Sequence, residues 1–62
     1  MEEKILSFIR EYIEKSGFSP TYREISKGVG LSSTSTIHHY IRKLKKEGRL
    51  TGGELPRTLR LP

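Results

Sequence analysis

The chain has 62 residues, no cysteine and a formal net charge of +5, with 12 lysines and arginines against 7 acidic residues. Without cysteine it can form neither a disulfide framework nor a thiolate zinc site, and no run approaches the roughly 18 apolar residues of a membrane span. The N-terminus lacks the basic opening of a secretory signal. A single small cytoplasmic domain over residues 1–62 is therefore expected.

The positive charge is concentrated in the second half of the chain. Residues 1–31 carry five basic and five acidic side chains, whereas residues 32–62 carry seven basic ones against Glu47 and Glu54. This asymmetry is typical of a surface that binds a polyanion such as nucleic acid. An acidic protein surface would also be attracted, so charge alone does not identify the partner.

The first predicted element is a core-facing amphipathic helix of about four turns. Lys15-Ser16-Gly17 ends it, with a cation in the last turn and a glycine suited to the left-handed conformation. Pro20 biases Ser19 away from helix, so residues 18–20 are expected to form an extended connector. The apolar positions at helical spacing are Ile5, Leu6, Ile9, Tyr12 and Ile13.

A second, short helix is predicted to start at Thr21. Residues 21–24 have the capping-box pattern, because Glu24 follows a threonine by three positions. Ile25 and Val29 face inward, and Gly28 with Gly30 limits this helix to about two turns. A short helix, a glycine-containing turn and a longer helix make up the helix-turn-helix arrangement.

The longer, third helix is predicted to begin near Ser33 or Thr34 and to run to about Glu47, with Gly48 as its C-terminal cap. Its inward stripe, at spacings of four and three residues, is Ile37, Ile41 and Leu44. Its other face carries donors, acceptors and cations instead of bulky apolar groups: Ser35, Thr36, His38, His39, Arg42 and Lys46.

This polar face has two interpretations. It favours a helix that enters a DNA groove, but small domains commonly present a solvated helix of the same polarity, so the spacing leaves both open. The hydroxyl residues 32–36 offer N-caps for the helix. The backbone N–H groups at its start would favour a phosphate there.

After Gly48 the periodicity changes from helical to alternating. Residues 49–51 and 58–61 alternate apolar with polar side chains, and the residues between them are rich in turn formers. Two short antiparallel strands are predicted, with Leu50, Leu59 and Leu61 on the core side. The fold class is therefore mainly α (α+β): a three-helix bundle with a helix-turn-helix and a C-terminal two-stranded β wing.

The sequence does not predict an enzyme. It shows no nucleophile with a suitable base, no inward carboxylate pair and no glycine-rich phosphate loop. His38 and His39 are adjacent and point about 100° apart on a helix, so they cannot chelate one metal as a pair four residues apart can. They are either surface histidines without a role or DNA contacts. No metal, cofactor or small-molecule substrate is expected.

With this order of elements, the sequence resembles the N-terminal DNA-binding domain of the LexA repressor family. That family has a G-x-x-P-[ST]-x-x-E-I segment before the short helix and L-x-x-K-G at the end of the recognition helix. Here Glu47 stands where the lysine is usual and Lys46 precedes it, so the phosphate contact at that end is expected to be displaced. The Ser-x-Ser-Thr-Ile-His run is closer to the versions from Gram-positive bacteria. The resemblance is carried by Ile5–Ile13, Gly17–Ile25, Val29–Leu31, Ser33–His38 and Leu44–Leu50.

The resemblance implies which side chains meet DNA. The positions that would read bases in the major groove are Ser33, Ser35, Thr36, His38 and His39. The positions that would meet the backbone are Thr21, Tyr22 and Arg23, with the wing around Gly53 to Arg57. The helix itself adds three candidates for the DNA backbone: Ser32 at its start, Arg42 one turn beyond His38, and Lys46.

The expected function is sequence-specific binding of double-stranded DNA, as a bacterial or phage transcriptional repressor of the SOS response to DNA damage. The resemblance implies an operator with inverted half-sites of the GAAC…GTTC kind, bound by monomers that pair on DNA. Family members continue through a linker into a self-cleaving serine–lysine protease domain. The sequence leaves open whether these 62 residues are part of such a protein. The alternatives are a winged-helix module that modulates a repressor or RNA polymerase, and nonspecific nucleic-acid binding.

Overall fold

A computed structural model describes all 62 residues and contains three helices: α1 (Glu2–Ser16), α2 (Tyr22–Gly28) and α3 (Thr34–Lys46). All three helices were predicted, and α3 ends one residue earlier than expected, with Glu47 as its C-cap. None of the helices combines the length and the apolar character needed to cross a membrane. The mainly helical helix-turn-helix fold is therefore confirmed.

One hydrophobic core joins the three helices to the C-terminal segment. Each fully buried Ile or Leu side chain contributes roughly 1.5–3 kcal/mol relative to exposure. Tyr12, Ile13 and Leu61, which were also expected to face inward, are half-buried at the edge of this core. Its 10 buried apolar side chains are Ile5, Leu6, Ile9, Ile25, Val29, Ile37, Ile41, Leu44, Leu50 and Leu59.

The start of α2 has the predicted capping box. The Thr21 Oγ1 atom accepts from the Glu24 backbone N–H at 3.2 Å, and the Thr21 N–H donates to the Glu24 carboxylate at 2.8 Å. These reciprocal bonds satisfy two donors that a helix end leaves free. They fix the N-terminus of α2 against the preceding connector.

A buried hydroxyl ties the turn between α2 and α3. Ser26 is 4% exposed, and its Oγ donates towards the carbonyls of Leu31, at 3.0 Å, and Ser33, at 3.4 Å. The Leu31 N–H returns a bond to the Ser26 carbonyl at 2.8 Å. Ser26 therefore sets where α3 starts relative to α2. No local signal in the sequence indicated this role for Ser26.

Gly28 has a packing role as well as a place at the helix end. A Cβ atom there would overlap the ring of Phe8 from α1. The missing side chain therefore allows α1 and α2 to approach closely. From the sequence, Gly28 was predicted only to limit the length of α2.

The predicted wing strands are reduced to one antiparallel bridge, in which Thr51 and Arg60 exchange backbone bonds of 2.9 and 2.8 Å. In this register the next bonded pairs would be 53 with 58 and 49 with 62. The Gly53 N–H instead donates to the Thr58 hydroxyl. Pro62 has no N–H, and the Arg49 N–H is bonded to the Leu44 carbonyl. The ladder therefore stops after one pair, which corrects the prediction of two strands.

Candidate nucleic-acid interface

The polar face of α3 is open to solvent, as the sequence predicted. Residues 35, 38, 39, 42 and 46 fall within a stripe of about 100° on a helix, opposite the buried stripe. Ser35, His38 and His39 form no hydrogen bonds within the protein through their side chains, so their donors and acceptors remain available. The exposed side chains of the stripe are Ser35, His38, His39, Arg42 and Lys46.

Two of the predicted base-reading residues are less available. The Ser33 Oγ atom is the N-cap of α3 and accepts from the Ser35 backbone N–H at 3.2 Å. Thr36 lies at the edge of the stripe and is half-buried. The structure therefore brings Ser35, His38 and His39 together as the free polar groups and places Ser33 and Thr36 beside them.

Tyr22 connects the polar stripe to the loop that follows Thr51. Its ring meets the edge of the His38 ring, with centroids 4.7 Å apart and planes at 86°. Its hydroxyl donates to the Gly53 carbonyl at 3.2 Å. Because a phosphate oxygen can only accept, a hydroxyl that has given its one proton to Gly53 has none for DNA. In this arrangement the one hydroxyl proton of Tyr22 is used within the protein.

Residues 52–57, called the tip below, have the predicted wing position but a different internal chemistry. Both backbone groups of Gly53 are bonded within the protein, its N–H to the Thr58 hydroxyl at 3.1 Å and its carbonyl to Tyr22. Gly52 and Gly53 have φ angles of 78° and 89°. Neither backbone group of Gly53 is therefore free for the phosphate contact that was predicted there.

The Arg57 guanidinium is also occupied within the protein. One of its nitrogens donates to the Tyr12 hydroxyl and to the Ser19 carbonyl, each at 3.3 Å. The other terminal nitrogen donates to Glu24 Oε2 at 3.0 Å, and the guanidinium carbon lies 4.8 Å from the centre of the Phe18 ring. None of these partners belongs to α3. Arg57 was predicted to meet the DNA backbone, but in this structure its guanidinium is bonded to other groups of the protein.

The Glu24 carboxylate links the capping box of α2 to Arg57. Its Oε1 atom accepts the Thr21 N–H of the capping box and its Oε2 atom accepts from Arg57. The backbone bond from Thr21 and then the bond from Arg57 lower the pKa of Glu24 to about 2, because both stabilise the carboxylate. Glu24 therefore stays charged through the physiological range.

The basic side chains of α2 and α3 divide into paired and unpaired groups. Lys43 is paired with Glu2 at 2.9 Å and Lys45 with Glu54 at 3.1 Å. The remaining four form no ion pair, so their charge is available to a polyanion. Lys27 was not singled out from the sequence, although its spacing of four from Arg23 could have indicated a shared helix face. These four are Arg23, Lys27, Arg42 and Lys46.

Two open depressions flank the start and the middle of α3. One, of about 190 Å³, is lined by Tyr22, His38, Ile41, Arg42 and Lys45. The other, of about 240 Å³, lies over the turn and is lined by Arg23, Ser26, Lys27, Leu31, Ser32 and Thr34. Nowhere do three His, Cys, Asp or Glu side chains converge as metal ligands would. The site offers hydrogen-bonding groups and cations on a rigid helix.

A short capped helix, a tight turn and a longer helix with a free polar stripe, flanked by unpaired cations, define a helix-turn-helix domain. The family model for the LexA DNA-binding domain matches residues 2–57. The chain belongs to this family, and the resemblance noted from the sequence is confirmed.

Full-length relatives support the same assignment. The chain is 49% identical to the LexA repressor of Carboxydothermus hydrogenoformans over 61 residues, which are 97% of this chain and 30% of that protein. It is 53% identical to the LexA repressor of Acetivibrio thermocellus over 47 residues, 76% of this chain and 22% of that protein. With the LexA repressor of Clostridium novyi it shares 46% identity over 59 residues, 94% of this chain and 29% of that protein. The chain thus spans less than a third of the length of these relatives.

Proposed function

We propose that this chain binds double-stranded DNA in a sequence-specific manner, as the DNA-binding domain of a bacterial or phage transcriptional repressor of the LexA type. The observation that carries the proposal is the unbonded polar stripe of α3, which includes two unpaired cations and has two more on α2 nearby, in a member of the LexA DNA-binding family. Occupation of a promoter would block RNA polymerase and so repress genes of the SOS response, in the bacterial cytoplasm at the nucleoid. Residues 1–62 act as one domain.

In the proposed complex α3 lies in the major groove. A helix fits this groove, where each base pair presents a distinct pattern of donors, acceptors and methyl groups. Ser35, His38 and His39 are exposed and unbonded, which suits them to base edges. Thr36 and Ser33 contribute at the margin of the same face. Arg42, one turn beyond His38, reaches a phosphate or a guanine edge.

The DNA backbone would be contacted by residues on both sides of α3. Arg23, Ser32 and Lys27 line the depression over the turn, where a phosphate would meet two cations and a hydroxyl. Thr21 lies at the other end of the contact surface, and Lys46 extends it along α3. These contacts position the helix and carry the salt dependence of binding.

The tip serves as the wing. Tyr22 touches both His38 and Gly53, so the tip lies next to the proposed base-reading face. Its Leu55 side chain is 69% exposed. The tip would approach the DNA backbone flanking the half-site, with Tyr22, Gly53 and Arg57 holding its shape.

The operator would consist of two inverted half-sites of the GAAC…GTTC kind. A single small domain contacts one half-site only, and binding gains strongly when two such contacts are linked. We therefore propose weak binding by one domain, and pairing of two domains on DNA. We propose no membrane or small-molecule partner.

The test is a fluorescence-anisotropy titration of a duplex carrying the inverted half-sites and of a scrambled duplex of the same composition. At ~150 mM salt, nonspecific attraction is already reduced. A preference of roughly tenfold or more for the half-site duplex is expected, within the range of specific over nonspecific binding. Equal weak binding to both, together with no enrichment of any motif from a random-sequence library, would exclude base recognition and favour nonspecific binding or a protein partner.

A further inference from the structure

The tip ends in a residue whose backbone directs its side chain back onto the helices. Arg57 has a φ of 60° and is the one residue other than glycine with a positive φ, a conformation that residues with a Cβ atom rarely adopt. Its side chain is 39% exposed. The bonds that the Arg57 side chain makes to the rest of the protein would offset the cost of this backbone conformation.

The guanidinium spans three separate parts of the chain. It donates to Tyr12 in α1, to the Ser19 carbonyl in the connector and to Glu24 in α2. These partners are 33 to 45 residues away in sequence. Three hydrogen bonds of fixed direction, two of them to neutral oxygens, hold the planar group more precisely than one surface ion pair does.

We propose that Arg57 is a positioning residue, which fixes the tip against α2 so that the tip and α3 meet DNA together, and makes no phosphate contact of its own. This inference rests on the proposed function for its DNA part. Glu24 is the common anchor, because one carboxylate caps α2 and binds Arg57. The bond from Tyr22 to Gly53 fixes the other end of the tip.

The two possible roles of Arg57 predict opposite effects of Glu24→Gln. Glutamine keeps the capping box but removes the charge that attracts Arg57. If Arg57 positions the tip, the tip loosens and DNA affinity falls. If Arg57 contacts phosphate, Glu24→Gln releases a cation and removes a negative charge near DNA, so affinity rises.

The DNA test measures affinity for the half-site duplex between ~50 and ~200 mM salt for Glu24→Gln, Arg57→Met and the control Arg60→Met. Arg60 has an exposed side chain without an ion pair or a side-chain hydrogen bond, so its substitution removes the same charge and no bond. Arg57→Met is expected to weaken binding roughly three- to tenfold beyond Arg60→Met, as the loss of one ordinary hydrogen bond does, with no greater change in salt slope. Glu24→Gln is expected to weaken binding too. A salt slope reduced by about one beyond the control in Arg57→Met, or tighter binding by Glu24→Gln, would overturn the proposal.

A second measurement needs no DNA and therefore separates this inference from the proposed function. Backbone ¹⁵N heteronuclear NOE values of residues 52–57 report the order of the tip in the free protein. They are expected to fall in Arg57→Met and Glu24→Gln and to match wild type in Arg60→Met, while amides in α1 to α3 stay rigid in all four proteins. Unchanged tip values in both variants would overturn the inference even if DNA binding is specific. A fall in these values would support the fixing of the tip even if the wild-type protein fails to distinguish the two duplexes, an outcome that would reject the proposed function alone.

Discussion

The basic side chains of α3 differ in whether they form ion pairs within the protein. Arg42 forms no hydrogen bond or ion pair and is exposed on the polar stripe, whereas its neighbour Lys43 is paired with Glu2 of α1 at 2.9 Å. Helical geometry separates the two by about 100°. They are therefore suited to a comparison, since Arg42 has no partner in the protein and Lys43 is used in the contact between helices.

Arg42→Ala should weaken binding to the half-site duplex by about 1–3 kcal/mol if it reads a guanine, or lower the salt slope by about 1 if it contacts a phosphate. Lys43→Ala should change affinity much less, because its charge is already compensated. Anisotropy titrations at several salt concentrations measure both quantities. Equal losses in the two variants would mean that only net charge matters.

Glu24 gives the stability of the protein a dependence on acid. Its pKa is lowered from 4.5 to about 2 in the folded protein, so the unfolded chain takes up the proton more readily. The stabilisation is fully present above pH 4.5 and is lost as the pH falls towards 2. Urea unfolding at a series of pH values should show this loss, and Glu24→Gln should flatten the curve in that window. A curve of unchanged steepness in Glu24→Gln would show that other carboxylates cause the loss.

At the level of elements, the turn between α2 and α3 depends on one hydroxyl. Ser26→Ala removes the donor to the Leu31 and Ser33 carbonyls and should cost about 1–3 kcal/mol, because partly buried acceptors lose a partner. DNA affinity should fall as well, since the start of α3 is less fixed. Exposed Ser7→Ala is the control. Thermal unfolding and anisotropy test this, and a Ser26→Ala protein with both properties of wild type would show that the turn holds without the hydroxyl.

The tip depends on Gly52. Its φ of 78° disfavours any side chain, and a Cβ atom would also overlap the Thr58 carbonyl of the backbone. Gly30→Ala is the matched control, with a φ of 82° and open space around it, so it should show the left-handed cost of about 1–2 kcal/mol alone. Gly52→Ala should lower the free energy of unfolding by more than this. Equal losses in urea unfolding would mean that the tip opens without cost.

The sequence predicted the helices well because their signals are local. The capping box of Thr21 and Glu24, the glycine after α1 and the stripe of α3 each lie within a few residues. The wing was predicted less well, since its register depends on which partners Gly53 and Arg49 take. The contacts of Arg57 were not predictable, because its partners lie up to 45 residues away in sequence.

For the whole molecule, one group of ion pairs lies where the start of α1 meets the end of α3. Arg49 binds both Glu2 and Glu3 of α1, and Lys43 joins the same cluster. Of the four unpaired cations on α2 and α3, Arg42 and Lys46 belong to the polar stripe and Arg23 and Lys27 lie on α2. These four contribute to the net charge of +5 on the face proposed to meet DNA.

The proposed pairing on DNA is a property of the whole molecule and can be tested by mass. We expect a monomer in size-exclusion chromatography with light scattering at micromolar concentration, and a complex of two chains per duplex when both half-sites are present. A duplex with one half-site should bind one chain more weakly. A stable dimer without DNA would contradict this expectation.

The most direct test of DNA recognition by α3 is to map the DNA-bound surface residue by residue. Amide chemical shifts of the ¹⁵N-labelled protein would be followed while the half-site duplex is added, with the scrambled duplex as control. If α3 enters the major groove, the largest changes are expected in residues 32–46 and in the tip, followed by Arg23 and Lys27 of α2, with little change along the outer face of α1. Changes concentrated on α1, with the polar stripe of α3 unaffected, would exclude this mode of binding.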